Sequence, residues 1–232
     1  MYSTTFHRLG LGLAVLVALF TLASSAEAGP PLICHPFEIG NANSLPWGNS
    51  QNWKSPKEGY DIAKLSQDTI ALLSPGLPVI VRMETLRRAA IYGEKDERIA
   101  YELLSRLMAR ALDTAASEKP DALAWFDAGY LVETYKQTRW MYEKSWLSKQ
   151  NMIQELDGYA WVTKALRLGG DSAAMEFAAS LIKEGAWPNE HFQRALAGAA
   201  DGSLLARNLV AQFGDRAKSV AELRARFSKR KN

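Results

Sequence analysis

The residues best suited to chemistry stand side by side early in the chain, as the pair Cys34-His35. A thiolate and an imidazole are donors that copper(I) and zinc(II) favour, so the pair marks a metal or redox module with copper or zinc as its cation. Two donors do not fill a coordination shell. Glu38 and His191 could complete it, although no Cys-x-x-Cys or His-x-x-x-His spacing accompanies them. Cys34 is the chain's one cysteine, which rules out an internal disulfide, and the plainer expectation is a packed or reactive thiol with no cofactor.

Other catalytic patterns fall short. Covalent haem attachment needs a second cysteine ahead of Cys-His. His35 projects away from its neighbour Cys34 on an extended backbone, which leaves His191 as the base for any cysteine nucleophile. No Gly-x-Ser-x-Gly elbow and no glycine-rich phosphate loop opens a helix. Glu133, Glu143, Glu155 and Asp157 lie near aromatic residues, as the carboxylates of an exported helical enzyme acting on cell-wall glycan would. Most of them fall on faces expected to be solvated.

Seven tryptophans divide by position. Trp125, Trp140, Trp146, Trp161 and Trp187 occur in or beside helical patterns, where an indole fills a hairpin interface. Trp47 and Trp53 sit in an asparagine-rich stretch, where they can stack on a sugar or peptide or anchor that stretch to the helices. Tyr130, Tyr135, Trp140, Tyr142 and Trp146 alternate with Lys136, Arg139, Lys144 and Lys149 and can line a groove or a snorkelling surface. The candidate ligand contacts are therefore Trp47, Trp53, Tyr135 and Trp140.

The elements that must position these residues begin with a leader. Arg8, the apolar run Leu9 to Leu22 and the small-residue site Ala26-Glu27-Ala28 make residues 1–28 a signal peptide cut before Gly29. Its apolar run is too short for a spanning helix, which needs about 20 residues. The chain is expected to be exported, periplasmic or extracellular, with no membrane span after cleavage and no nucleic-acid partner. Losing Arg8 and Glu27 leaves the net charge at +3, a mild value that bears on solubility. A mature domain of about 200 residues buries about 70% of its extended surface, enough for a core without staples.

Residues 29–56 hold Pro30, Pro31, Pro36, Pro46 and Pro56 among Asn41, Asn43, Asn49 and Asn52, a composition that breaks helix and strand alike. This is an extended proline-rich arm. It carries Leu32, Ile33, Phe37, Ile39, Leu45, Trp47 and Trp53 as apolar anchors.

Residues 57–232 read as an all-α domain, with apolar positions three and four apart and breaks at glycine or proline. The spacing predicts helices over Asp61–Leu73, Pro78–Tyr92, Lys95–Ala116, Asp121 to beyond Trp140, Met152–Leu168, Ser172–Lys183, Glu190–Ala199, Ser203–Phe213 and Ala217–Phe227. In the second of these, Arg82, Arg87 and Arg88 fall off the stripe of Val79, Met83, Leu86 and Ala90 and are assigned to other faces. Glu102 and Arg106 sit four apart on the polar side of the third. About nine short helices joined by tight turns suggest antiparallel hairpins in a helical-repeat, solenoid-like stack.

An internal echo supports repetition: Asp127-Ala128-Gly129-Tyr130 and Asp157-Gly158-Tyr159 lie 29 residues apart. The segment Gly158 to Ile182, with Ala160, Ala165, Leu168, Ala173, Ala174, Phe177 and Ala178, resembles one degenerate tetratricopeptide hairpin. The arm Ile33-Cys34-His35-Pro36-Phe37-Glu38-Ile39-Gly40, followed by Ser44-Leu45-Pro46-Trp47, resembles that of exported bacterial helical proteins whose activity is unassigned. Both resemblances bear on fold and imply no ligand. Together these features lead to a non-catalytic interaction or scaffold protein that binds a peptide or protein partner in the cell envelope.

Overall fold

Apolar residues at four-residue spacing close onto a core when the helix between them is well capped, and the chain repeats that device throughout. The computed structural model describes residues 32–48, 52–141, 151–169, 172–183, 188–213 and 217–228, with the side chains of residues 139–141, 151 and 172 outside that set. The expected signal peptide, residues 1–28, lies outside the described residues. Among those described there are ten α-helices and no strand beyond a single antiparallel bridge between Trp47 and Pro56.

Asp61 accepts from the Ala63 amide and starts a 3-10 turn, Ile62–Lys64, that runs into α1, Leu65–Leu72. Pro78 precedes α2, Val79–Gly93. Asp96 caps α3, Glu97–Asp113, which buries Ile99, Leu103, Leu107 and Ala111 as the spacing requires. Asp121 accepts from Leu123 and Ala124 at the start of α4, Ala122–Met141. The expected single helix from Met152 to Leu168 is instead two, α5 Asn151–Glu155 and α6 Gly158–Arg167. Asp157 separates them by accepting from the Ala160 amide at 2.8 Å, an N-cap in the middle of an otherwise helical pattern. Then come α7 Ser172–Ile182, α8 Glu190–Gly198 with its Asn189 cap, α9 Leu204–Phe213 and α10 Val220–Ser228.

Most helices pack on their neighbour in sequence or on the next but one. Thus α2 meets α3 and α4, α4 meets α6, α6 meets α7, and α7 meets α8 and α9. The closest approach is between α4 and α6. A Cβ added to Gly158 would lie 2.4 Å from the Gly129 carbonyl oxygen, and one added to Gly129 would lie 2.6 Å from that of Gly158. The two Gly-Tyr sequences that echo one another are thus the two sides of one contact.

The helix α2 departs most from its sequence pattern. Arg82 and Arg87 are fully buried and not on a solvent face. The reason differs for the two: Arg87 meets the carbonyls of Ile33 and Trp53 in the segment before α1, whereas Arg82 reaches the carbonyls of Ser74 and Leu77 and the carboxylate of Asp127 on α4. Leu32, Ile33, Phe37 and Leu45 of that segment belong to the main core, and Phe37 meets Phe177 of α7 edge-to-face at 6.1 Å.

Candidate functional site

Buried charge on α2 needs partners, because an uncompensated ion in a core is costly. Glu84 supplies most of them. Its carboxylate accepts from Arg87 Nε at 2.7 Å and Nη2 at 2.9 Å, from Arg88 Nε at 2.7 Å, and from the Phe37 amide at 3.0 Å. Arg87 donates onward to the carbonyls of Ile33 and Trp53, both at 3.0 Å, and Arg88 to that of Leu45 at 2.7 Å. Tyr92 donates to the Pro46 carbonyl at 2.6 Å and accepts from the Lys57 amide at 2.8 Å. One turn after another of α2 thus grips the backbone of the segment beside it.

That grip sets the places of the sequence-predicted contacts. Trp47 is half-buried, with the guanidinium of Arg87 5.1 Å and that of Arg88 5.4 Å from its ring, and Tyr92 edge-on at 5.9 Å. Its faces therefore serve to hold the segment. Trp53 is half-buried against the core, its carbonyl taken by Arg87. Tyr135, expected on a groove, is instead fully buried and donates to the Ala100 carbonyl at 3.2 Å. It points from α4 to α3, because the aromatic spacing follows the buried side of α4. Burial also pushes its phenol far above the ordinary range. The side chain of Trp140 lies outside the described residues, as do Glu143, Trp146 and Trp187.

Cys34 is half-buried and His35 exposed. Burial raises the thiol's pKa, and the nearby Arg87 pulls against it. The residues expected to complete a metal shell are engaged elsewhere. Glu38 pairs with Arg207 at 2.6 Å, and His191 stands between Tyr159 and Glu176. Among the described residues, no three His, Cys, Asp or Glu side chains converge closely enough to hold a metal ion. Of the carboxylates considered for glycan cleavage, Glu133 pairs with Lys136 at 2.9 Å and Asp157 caps α6.

A cleft of about 310 Å³ opens where the gripped segment meets α1. Pro46 and Tyr60 line it, Lys57 and Lys64 bring positive charge, and Glu58, Asp61 and Asp68 bring negative charge. Tyr60 stacks obliquely on Tyr92 at 4.6 Å and donates to Asp68 at 2.7 Å. Burial and that hydrogen bond keep its phenol protonated far above neutrality. The cleft thus offers one apolar wall and a mixed-charge rim, the rim residues all lying between Lys57 and Asp68 and Pro46 coming from the segment before them. Only Pro46 stands out beforehand, as the residue preceding Trp47. No helix among the described residues is long and apolar enough to cross a membrane. No protein-family model, curated protein or solved structure matches the chain.

Proposed function

We propose that this is an exported interaction or scaffold protein that receives a peptide or protein segment in the cell envelope, and that the cleft beside α1 is where it does so. The observation that carries this reading is the fixed wall. Arg88 holds the Leu45 carbonyl, and Tyr92 holds both the Pro46 carbonyl and the Lys57 amide, so the cleft exists before any partner arrives. Preorganisation lowers the ordering penalty of association. An extended segment can lay an apolar residue against Pro46 and Tyr60 while its polar groups meet the lysines and carboxylates around them. The helical-repeat reading fits the same role, since stacked hairpins commonly present extended binding surfaces.

The test is photo-crosslinking in the exporting cell, with p-benzoylphenylalanine placed at Glu58 or Lys64 and, as a control, at the exposed Asp113. A discrete envelope-protein adduct from the two cleft positions, absent from the third, is the expected result. Equal yields from all three positions, or none from the cleft, would sink the proposal.

A further inference from the structure

A second constellation lies among α6, α7 and α8, remote in sequence from the cleft. His191 of α8 is buried, with Glu176 of α7 against Nδ1 and the hydroxyl of Tyr159 of α6 2.7 Å from Nε2. With the ring proton on Nδ1, facing that carboxylate, Nε2 is the acceptor of the phenolic O–H. Arg194 fixes the carboxylate in turn, its Nε donating to Glu176 Oε1 at 2.5 Å, while its Nη2, also a donor, lies 2.8 Å from Nδ1 and competes with Glu176 there. Glu190 stands 4.0 Å from Nε2 and is itself paired with Lys183. Hydroxyl, imidazole and oriented carboxylate occur here in the order and spacing that activates a nucleophile.

We propose that Tyr159 is an acyl-acceptor site, its hydroxyl activated by His191 and Glu176 to take an acyl group from an activated ester. Tyr159 is half-buried, so its ring is anchored while one side stays open to solvent. The phenol oxygen forms a bond to the acyl carbon as its proton passes to His191 Nε2. The C–O bond to the leaving group breaks, the leaving oxygen keeps the electron pair, and the proton returns from the imidazolium to that oxygen or to water. The products are an O-acyl tyrosine and the free alcohol or phenol. Burial raises the resting phenol's pKa, so activation comes from proton transfer to His191 during attack and not from a standing phenolate. Lys183 and Arg194 favour the negative charge that develops, while Glu190 and Glu176 oppose it.

The probe is p-nitrophenyl acetate applied to the purified exported protein, with acetylation followed at each tyrosine by peptide mass spectrometry. Tyr159 should be labelled at least about a hundredfold faster than the half-buried Tyr101, the low end of what a general base supplies. In His191→Gln, shown by circular dichroism to keep its helix content, the Tyr159 rate should fall to that of Tyr101. An unchanged Tyr159 rate in a folded His191→Gln protein overturns the proposal. If that variant does not fold, the wild-type ratio alone decides, and a ratio near one overturns it equally.

Discussion

Burial pushes the Asp127 carboxyl up to about 6 from an ordinary value of 3.8, against the downward pull of Arg82, whose Nη1 lies 2.6 Å away. The pair is fully buried on both sides, so desolvation outweighs attraction. Because the folded pKa exceeds the unfolded one, the native state holds the extra proton between about pH 4 and 6. The stability this group lends is complete below that window and is lost as pH rises through it. Replacing Asp127 by Asn should therefore flatten the fall in unfolding free energy between pH 4 and 7. The wild-type minus variant difference should drop by about 3 kcal/mol across the window, at about 1.4 kcal/mol per pKa unit, as read by urea denaturation. An identical pH profile for the two proteins would show that Asp127 does not titrate there. The sequence marks Asp121 as the start of α4, but nothing in it shows that Asp127, six residues later, is buried. The difference lies in Arg82, which reaches Asp127 from α2 while also donating to the Leu77 carbonyl at 3.1 Å.

Between elements, the α4–α6 contact depends on the two glycines that lack a Cβ. In Gly158→Ala the new methyl would lie 2.4 Å from the Gly129 carbonyl oxygen and 2.6 Å from Glu133 Oε1, so the helices must part. Alanine favours a helix over glycine by about 1 kcal/mol, yet overpacking here should exceed that gain. A net loss of about 1–3 kcal/mol in thermal or urea unfolding is the expected outcome. A stabilised variant would mean that α6 is free to shift. The helices themselves were largely legible in sequence, since periodicity and the caps Asp96, Asp121, Asn189 and Ser203 are local signals. The break at Asp157 was not, because an aspartate inside an amphipathic pattern reads as solvated until its neighbours are known. Arg224 is a similar case. It donates to the carbonyls of Leu196 and Ala199 and so closes the end of α8, a helix far from its own in sequence.

For the whole molecule, the first described segment ties early helices to late ones. Leu32 donates its amide to Gln137 of α4, Phe37 packs on α7, and the Glu38 backbone exchanges two 2.8 Å hydrogen bonds with Asn208 of α9. Removing one grip should therefore loosen the segment without unfolding the helices. Tyr92→Phe loses the bonds to Pro46 and Lys57. It should make limited tryptic cleavage at Lys54 or Lys57 several times faster, with the melting temperature lowered by only the few degrees that about 1 kcal/mol represents. Cleavage at the wild-type rate would show that Arg87 and Arg88 suffice to hold it. The sequence by itself determined the helical class, most helix boundaries and the presence of apolar anchors ahead of the first helix. All of these depend on residues within a few positions of one another. Only the tertiary structure decided that α2 is covered on every side, that Tyr135 is core, that a cleft forms beside α1 and that Tyr159, His191 and Glu176 meet. Each of those rests on groups from 11 to 54 residues apart, and a contact of that kind exists only once packing has chosen which faces to join.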